Sequence, residues 1–92
     1  MEEITMQHKG EWWVSPAIAD SDNCTFRLSI PDGKCVILVE TTTIDTSKPW
    51  ATQYSRTVYG GEWEKNIVGI APGQSVRVKT SVKPTKAYSQ SY

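Results

Sequence analysis

CTFRLSIPDGKCVILVE, residues 24 to 40, decides the fold. Its first half sets Cys24, Phe26, Leu28 and Ile30 at every second position with Thr25, Arg27 and Ser29 between them, the period of a strand with one buried face. Pro31-Asp32-Gly33-Lys34 interrupts the run. Asp-Gly between two apolar runs signals a tight reversal, because such a turn needs a positive φ that glycine supplies without strain. CVILVE then returns as a β-branched strand. With Asp32 and Gly33 as a two-residue loop, Ile30 is expected to face Cys35, Leu28 to face Ile37, Phe26 to face Val39 and Cys24 to face Thr41. Val36 and Leu38 then point the other way, beside Ser29 and Arg27. That second face needs cover, expected from elsewhere in the fold, with a partner as the alternative.

Ninety-two residues bound the chain to one domain with a modest core. Hydrophobic content is 38%, mean hydropathy is -0.44, and no apolar run approaches the ~20 residues of a spanning helix. Met1-Glu2-Glu3 is acidic where a signal peptide would be basic, so synthesis and folding in a cytoplasm are expected. In the hairpin register, Cys24 lies about 20 Å along the sheet from Cys35 at ~3.4 Å per residue, so two free buried thiols are expected rather than a disulfide. Asn23-Cys24-Thr25 matches a glycosylation sequon, which without a signal peptide reads as chance. Formal charge is zero but unevenly placed. Residues 1–45 hold three basic against eight acidic side chains, and residues 46–92 hold seven against two. Strands that interleave the two halves would erase this asymmetry; otherwise it gives a dipolar surface able to steer assembly.

Outward from the central stretch, Ile4 to Met6 forms a candidate first strand that ends at Lys9-Gly10. Trp12 and Trp13 follow side by side, and since neighbours on a strand point to opposite faces, one can enter the core while the other is left outside or at a sheet edge, where it either caps the end of the core under a loop or serves as a recognition candidate. Asp20-Ser21-Asp22-Asn23 is a turn whose carboxylates and amide offer oxygens to Ca²⁺, but it lacks the glycine and distant glutamate of an EF-hand loop and reads as solvated. Thr41 to Asp45 prolongs the central strand until Thr46 to Pro49 breaks it. WATQYSRTVY, residues 50–59, splits by alternation into Trp50, Thr52, Tyr54, Arg56 and Val58 on a core-facing side and Ala51, Gln53, Ser55, Thr57 and Tyr59 opposite. Trp63 sits in the charged setting EWEK and is expected to be only partly buried. Ala71-Pro72-Gly73-Gln74 suits a type II turn. Beyond it, Val76, Val78, Thr80 and Val82 alternate with Arg77, Lys79, Ser81 and Lys83, giving a strand with a basic outer row. Pro84 stops it, and KAYSQSY, residues 86–92, reads as a loose tail, an edge strand, or an arm anchored by Tyr88 and Tyr92.

No catalytic constellation stands out. His8 is the only histidine, neither cysteine sits in a Cys-x-x-Cys or Cys/His cluster, and no glycine-rich loop precedes a helix. Cys24 paired with His8 is the one conceivable nucleophile, and Cys24 belongs to a core row. The chain is therefore read as non-enzymatic, with no cofactor and no metal. Arg77, Lys79, Lys83 and Lys86 offer phosphate contacts, but zero net charge speaks against a nucleic-acid partner. Several strands separated by turn signals and no helical period imply an all-β protein, a single two-layer antiparallel sandwich of about seven strands. Residues 1–83 make the sandwich domain and 84–92 a polar C-terminal tail or docking arm.

The order of these features resembles the small immunoglobulin-like sandwich modules found as accessory proteins of tailed bacteriophages. FRLSI, a short turn, CVILVETTTID with Trp50 nearby, and a connector ending in APGQSVRVKTSV carry the resemblance over roughly residues 10 to 82. Two features depart from it: Asp45-Thr46-Ser47-Lys48-Pro49 replaces the usual Asp-Gly-Gly loop, and the last strand after SVRVKTSV is short or missing. The resemblance implies an immunoglobulin-like β-sandwich in the virion. There it would be a head-decoration or tail-accessory protein, in multiple copies, bound to other capsid or tail subunits. The alternative is a carbohydrate-binding module facing a host-surface glycan through exposed Trp and Tyr rings, Tyr59 among them. The interaction candidates are Trp12, Trp13, Val36, Leu38, Trp50, Trp63, Arg77, Lys79, Tyr88 and Tyr92.

Overall fold

The alternation around Asp32-Gly33 does produce two eight-residue strands, β5 (Asn23–Ile30) and β6 (Cys35–Thr42), but they do not pair with each other. This corrects the expected hairpin. Pro31 to Lys34, with Gly33 at φ 116°, carries the chain from one sheet to the other. A hairpin would lay both apolar rows in one layer and leave them in need of a second. As a crossover, the same turn lets the rows cover each other. Cys24, Phe26 and Leu28 from β5 and Cys35, Ile37 and Val39 from β6 lie in one core cluster with essentially no exposure. Burying each of the larger side chains stabilises the fold by about 1.5–3 kcal/mol.

The computed structural model describes residues 1–19, 23–43 and 47–91. Asp20, Ser21 and Asp22 of the cation reading, Ile44, Asp45 and Thr46 at the strand break, and Tyr92 lie outside the described residues. The protein is an all-β, antiparallel two-sheet sandwich with ten strands among the described residues. Those not yet given are β1 (Glu2–Glu3), β2 (Gln7–Lys9), β3 (Trp12–Val14), β4 (Ile18–Ala19), β7 (Trp50–Val58), β8 (Gly61–Val68), β9 (Ser75–Thr80) and β10 (Lys86–Ser91). Six of the ten have six residues or more; the excess over about seven comes from short pieces near the N-terminus. The four-stranded sheet runs β1-β10-β5-β8, and the other runs β2-β3-β9-β6-β7 with β4 also on β9.

Residues 86–91 are not an arm. Because β5 has no hairpin partner, one of its edges is open, and β10 fills it in a register from Lys86 opposite Ser29 to Ser91 opposite Cys24, with β1 on its far side. Ala87 points into the core and Tyr88 points out beside Arg27. Trp63 also departs from expectation. Glu62 and Glu64 on either side of it face solvent while Trp63, opposite Leu28, is only 7% exposed, its ring 6.4 Å from that of Tyr54. EWEK is thus strict alternation, and the charged neighbours belong to the other face. Trp63 closes the core and is unavailable as an interaction residue.

The expected type II turn forms. Gly73 has φ 82° and Gln74 N–H donates to the Ala71 carbonyl at 3.0 Å, as a type II turn requires. Gly60 (φ 104°) lies against the β5–β6 crossover, where an added Cβ would meet Asp32 Cα at 3.2 Å. Both cysteines are free and buried. Burial pushes the Cys24 thiol up from 9.0 to about 11, which keeps it protonated and inert.

Candidate functional site

The outward face of the six-stranded sheet gathers most of the residues singled out from the sequence. On β6 the outward positions are Val36, Leu38 and Glu40, and on β9 they are Arg77 and Lys79, since Leu38 pairs with Lys79 and Glu40 with Arg77. Trp12 and Val14 of β3 share this face, because Val14 pairs with Lys79. Val14 is 5% exposed yet stands apart from the core cluster between the sheets, so its cover comes from the outer face itself. Trp13 points inward, packs on that cluster and stacks on His8, ring centroids 4.6 Å apart. One tryptophan in and one out is what the adjacent pair required.

Trp50 reaches this face through a bulge. Val39 pairs with Tyr54 and Glu40 with Thr52, so Gln53 is the extra residue on β7. Tyr54, Arg56 and Val58 keep the inward phase, and Trp50 and Thr52 are turned outward. The expected single core-facing row from Trp50 to Val58 is therefore split at Gln53. No periodicity in WATQYSRTVY marks it; the signal is tertiary.

At the centre of the face lies Glu40, which was not among the candidates. Its Oε1 accepts from Arg77 Nε at 2.8 Å and its Oε2 lies 3.6 Å from Lys79 Nζ, with side-chain exposures of 8% for Glu40, 19% for Arg77 and 17% for Lys79. Each cation in turn sits over a tryptophan: the Arg77 guanidinium is 4.0 Å from the Trp50 ring centroid, and Lys79 Nζ is 5.0 Å from that of Trp12. The result is one row, Trp50, Arg77, Glu40, Lys79, Trp12. A carboxylate between two cations, each against an aromatic ring, is a fixed and partly desolvated arrangement. Val36 and Leu38 flank it, half-buried, and no third layer of secondary structure covers them among the described residues.

The remaining candidates fall elsewhere. Trp63 is in the core, Tyr88 is on the outer face of the other sheet, and Tyr92 is outside the described residues. The four basic residues weighed for phosphate contacts do not form one stripe: Arg77 and Lys79 are held by Glu40, Lys83 lies over Trp13, and Lys86 is on β10 in the opposite sheet. Among the described residues no group of three His, Cys, Asp or Glu side chains is placed to hold a metal ion.

Among the described residues, two of the hollows lie on the outer faces of the sheets. One, of about 280 Å³, lies beside the tryptophan–cation row and is bordered by Trp50, Arg77, Lys9, Gln7, Val14 and the Ser15–Ala17 segment. The other, of about 590 Å³, lies on the four-stranded sheet among Arg27, Ser29, Glu62, Glu64, Lys86 and Tyr88. No family model matches the chain, and no curated protein matches it. Among solved structures it is similar to the Anabaena sensory rhodopsin transducer, at 11% identity over 96% of this chain and 100% of that one, with a TM-score of 0.44. A likeness of that degree has no bearing on the site.

Proposed function

We propose that the protein is a non-enzymatic binding module, a virion accessory subunit of the head-decoration or tail type, that docks on other virion proteins through the outer face of its six-stranded sheet. The sequence resemblance supplies the virion context. The docking role rests on one observation: Trp12, Trp50, Val36 and Leu38 are set around a Glu40–Arg77–Lys79 cluster on a face with no layer over it among the described residues. Tryptophan and arginine in a partly desolvated patch are the side chains that dominate protein–protein binding energy.

The sugar-binding alternative uses the same two tryptophans, but it needs open ring faces for stacking. Arg77 and Lys79 each take one face of Trp50 and Trp12, which leaves at most one face of each ring for a sugar. Of the other two members of that platform, Trp63 is buried, while Tyr59 is 73% exposed just beyond the end of β7. Protein docking is therefore the reading we adopt.

Occupancy on particles is the test. The protein should co-sediment with assembled particles, and a Leu38→Asp variant, folded by circular dichroism, should stay in the supernatant. Absence from particles, together with tryptophan quenching by a glycan panel that Trp50→Ala abolishes, would overturn this reading in favour of sugar binding.

A further inference from the structure

We infer that the hollow beside Trp50 and Arg77 is an anion-binding cleft that takes a carboxylate side chain from an acidic segment of the docked protein. The inference rests on the docking reading and names the chemistry of its partner. Its wall carries two cations, Arg77 and Lys9, and no carboxylate among the described residues. Glu40, the neighbour that balances Arg77, does not line it.

Arg77 is held in place from two directions. Its Nε donates to Glu40 and its guanidinium lies flat enough on Trp50 to bring Cζ within 4.0 Å of the ring centroid. A guanidinium already fixed loses less freedom when it binds an anion, and its planar fork matches a carboxylate better than an ammonium does. Lys9, on β2 opposite Trp12, adds a second positive charge from an exposed strand. Trp50 and Val14 provide apolar wall for the methylene stem of such a side chain. The volume of about 280 Å³ lies just below the ~300–1,000 Å³ of small-molecule pockets and suits a side chain better than a cofactor.

The larger hollow on the other sheet gives the contrast. It is bordered by Arg27 and Lys86 but also by Glu62 and Glu64, and Arg27 is already paired with Glu64 at 2.8 Å. Its charges are balanced locally, so it offers no excess to an anion. Of these two hollows, the cleft beside Trp50 joins unbalanced positive charge to an aromatic wall; a further hollow among Tyr54, Lys65 and Gln53 has one lysine but no guanidinium fork.

Two capped tripeptides, N-acetyl-Gly-Glu-Gly-amide and its Gln counterpart, test the idea by ¹H–¹⁵N titration at low salt. The Glu peptide should shift the Trp50 indole N–H and the Arg77 Nε–H signals saturably, and the Gln peptide should bind about tenfold more weakly, since charge-assisted bonds are lost. Lys9→Gln, an exposed change that leaves the fold alone, should weaken the Glu peptide about threefold. Arg77→Lys keeps a cation for Glu40 but removes the fork, and should cost about tenfold. Equal shifts from the two peptides, or shifts confined to the four-stranded sheet, overturn the inference. If neither peptide binds while Leu38→Asp still abolishes docking, the cleft falls and the docking face stands. If the peptides discriminate while Leu38→Asp docks normally, the cleft stands and the docking face falls.

Discussion

The outer faces of the two sheets are built from similar residue types and solve the same problem in opposite ways. On the four-stranded sheet, Arg27 pairs with Glu64 at 2.8 Å and Ser29 donates to Glu62 at 2.7 Å, with the Arg27 and Glu64 side chains 50% and 49% exposed. Water does most of the solvation there, and the face costs the fold almost nothing. On the six-stranded sheet, Glu40 is buried under two cations that are themselves covered by tryptophans. Removing three charges from water is expensive, and apolar residues in those positions would serve stability equally well. Among the described residues no protein layer lies above this cluster, and that is what the proposed docking role rests on. Strands of the two halves interleave in both sheets, so the charge asymmetry along the sequence is not kept as such; Lys9, Arg77 and Lys79 oppose one carboxylate on this face, while Glu3, Glu62 and Glu64 oppose Arg27 and Lys86 on the other.

The comparison breaks most easily at the two glutamates. Glu40→Ala leaves Arg77 and Lys79 close together and short of water, and should destabilise the protein by about 3 kcal/mol. Glu64→Ala removes an exposed partner and should cost below ~1 kcal/mol. Urea midpoints of the two variants measure the difference. Similar costs would mean that the Glu40 cluster is as well hydrated as the surface pair.

Beneath both faces lies one core, and Cys24 tests whether the sheets depend on it equally. Its folded pKa of about 11 lies above the ordinary 9.0, so the folded state holds the proton more tightly. The stability this gives is fully present below pH 9.0 and is lost as pH rises through about 11. A loss on the order of 2 kcal/mol is expected across that window, absent in Cys24→Ala after correction for other alkaline groups. Hydrogen exchange should accelerate in both sheets together. Acceleration in β5 and its neighbours alone would show two separable layers.

The inner half of this architecture was legible in the sequence, and the outer half only in part. Period-two apolar rows at Cys24–Ile30, Cys35–Val39 and Val76–Thr80 identified the strands and their buried faces because burial alone sets that pattern. The pairing of β5 and β6 was misread because Asp-Gly fixes a reversal, not the layer that the returning strand joins. The burial of Trp63 is hidden in the sequence because its charged neighbours suggest a solvated setting, although on a strand they describe the opposite face. Val36, Leu38, Arg77 and Lys79 are legible from alternation, as is one outward residue of the Trp12–Trp13 pair, yet their common site is not, since it requires the register of β9 against β6 and β3. Glu40 carries a weak signal as the one charge ending an apolar run; the Gln53 bulge carries none.

Leu38→Asp separates docking from folding on the richer face. The side chain is half-buried beside Lys79, so the change should cost about 1 kcal/mol of stability, far less than an equivalent change at fully buried Leu28. Particle binding should nevertheless be lost. Loss of the fold instead would make Leu38 part of the core and leave the face with no apolar centre.

The smallest effect falls on the poorer face and gives the comparison its sharpest form. A double-mutant cycle on Arg27 and Glu64 should return a coupling of about 0.5 kcal/mol at low salt. At ~1 M salt the screening length falls to ~3 Å, close to the 2.8 Å separation, and an exposed pair loses most of that coupling. Ions cannot enter between Glu40 and Arg77 in the same way, because the tryptophans and flanking aliphatic side chains limit access. The cycle on Glu40 and Arg77 should therefore hold its value in high salt. Equal salt sensitivity of the two cycles would place both faces in water, remove the desolvation that sets the six-stranded sheet apart, and with it the physical basis for docking there.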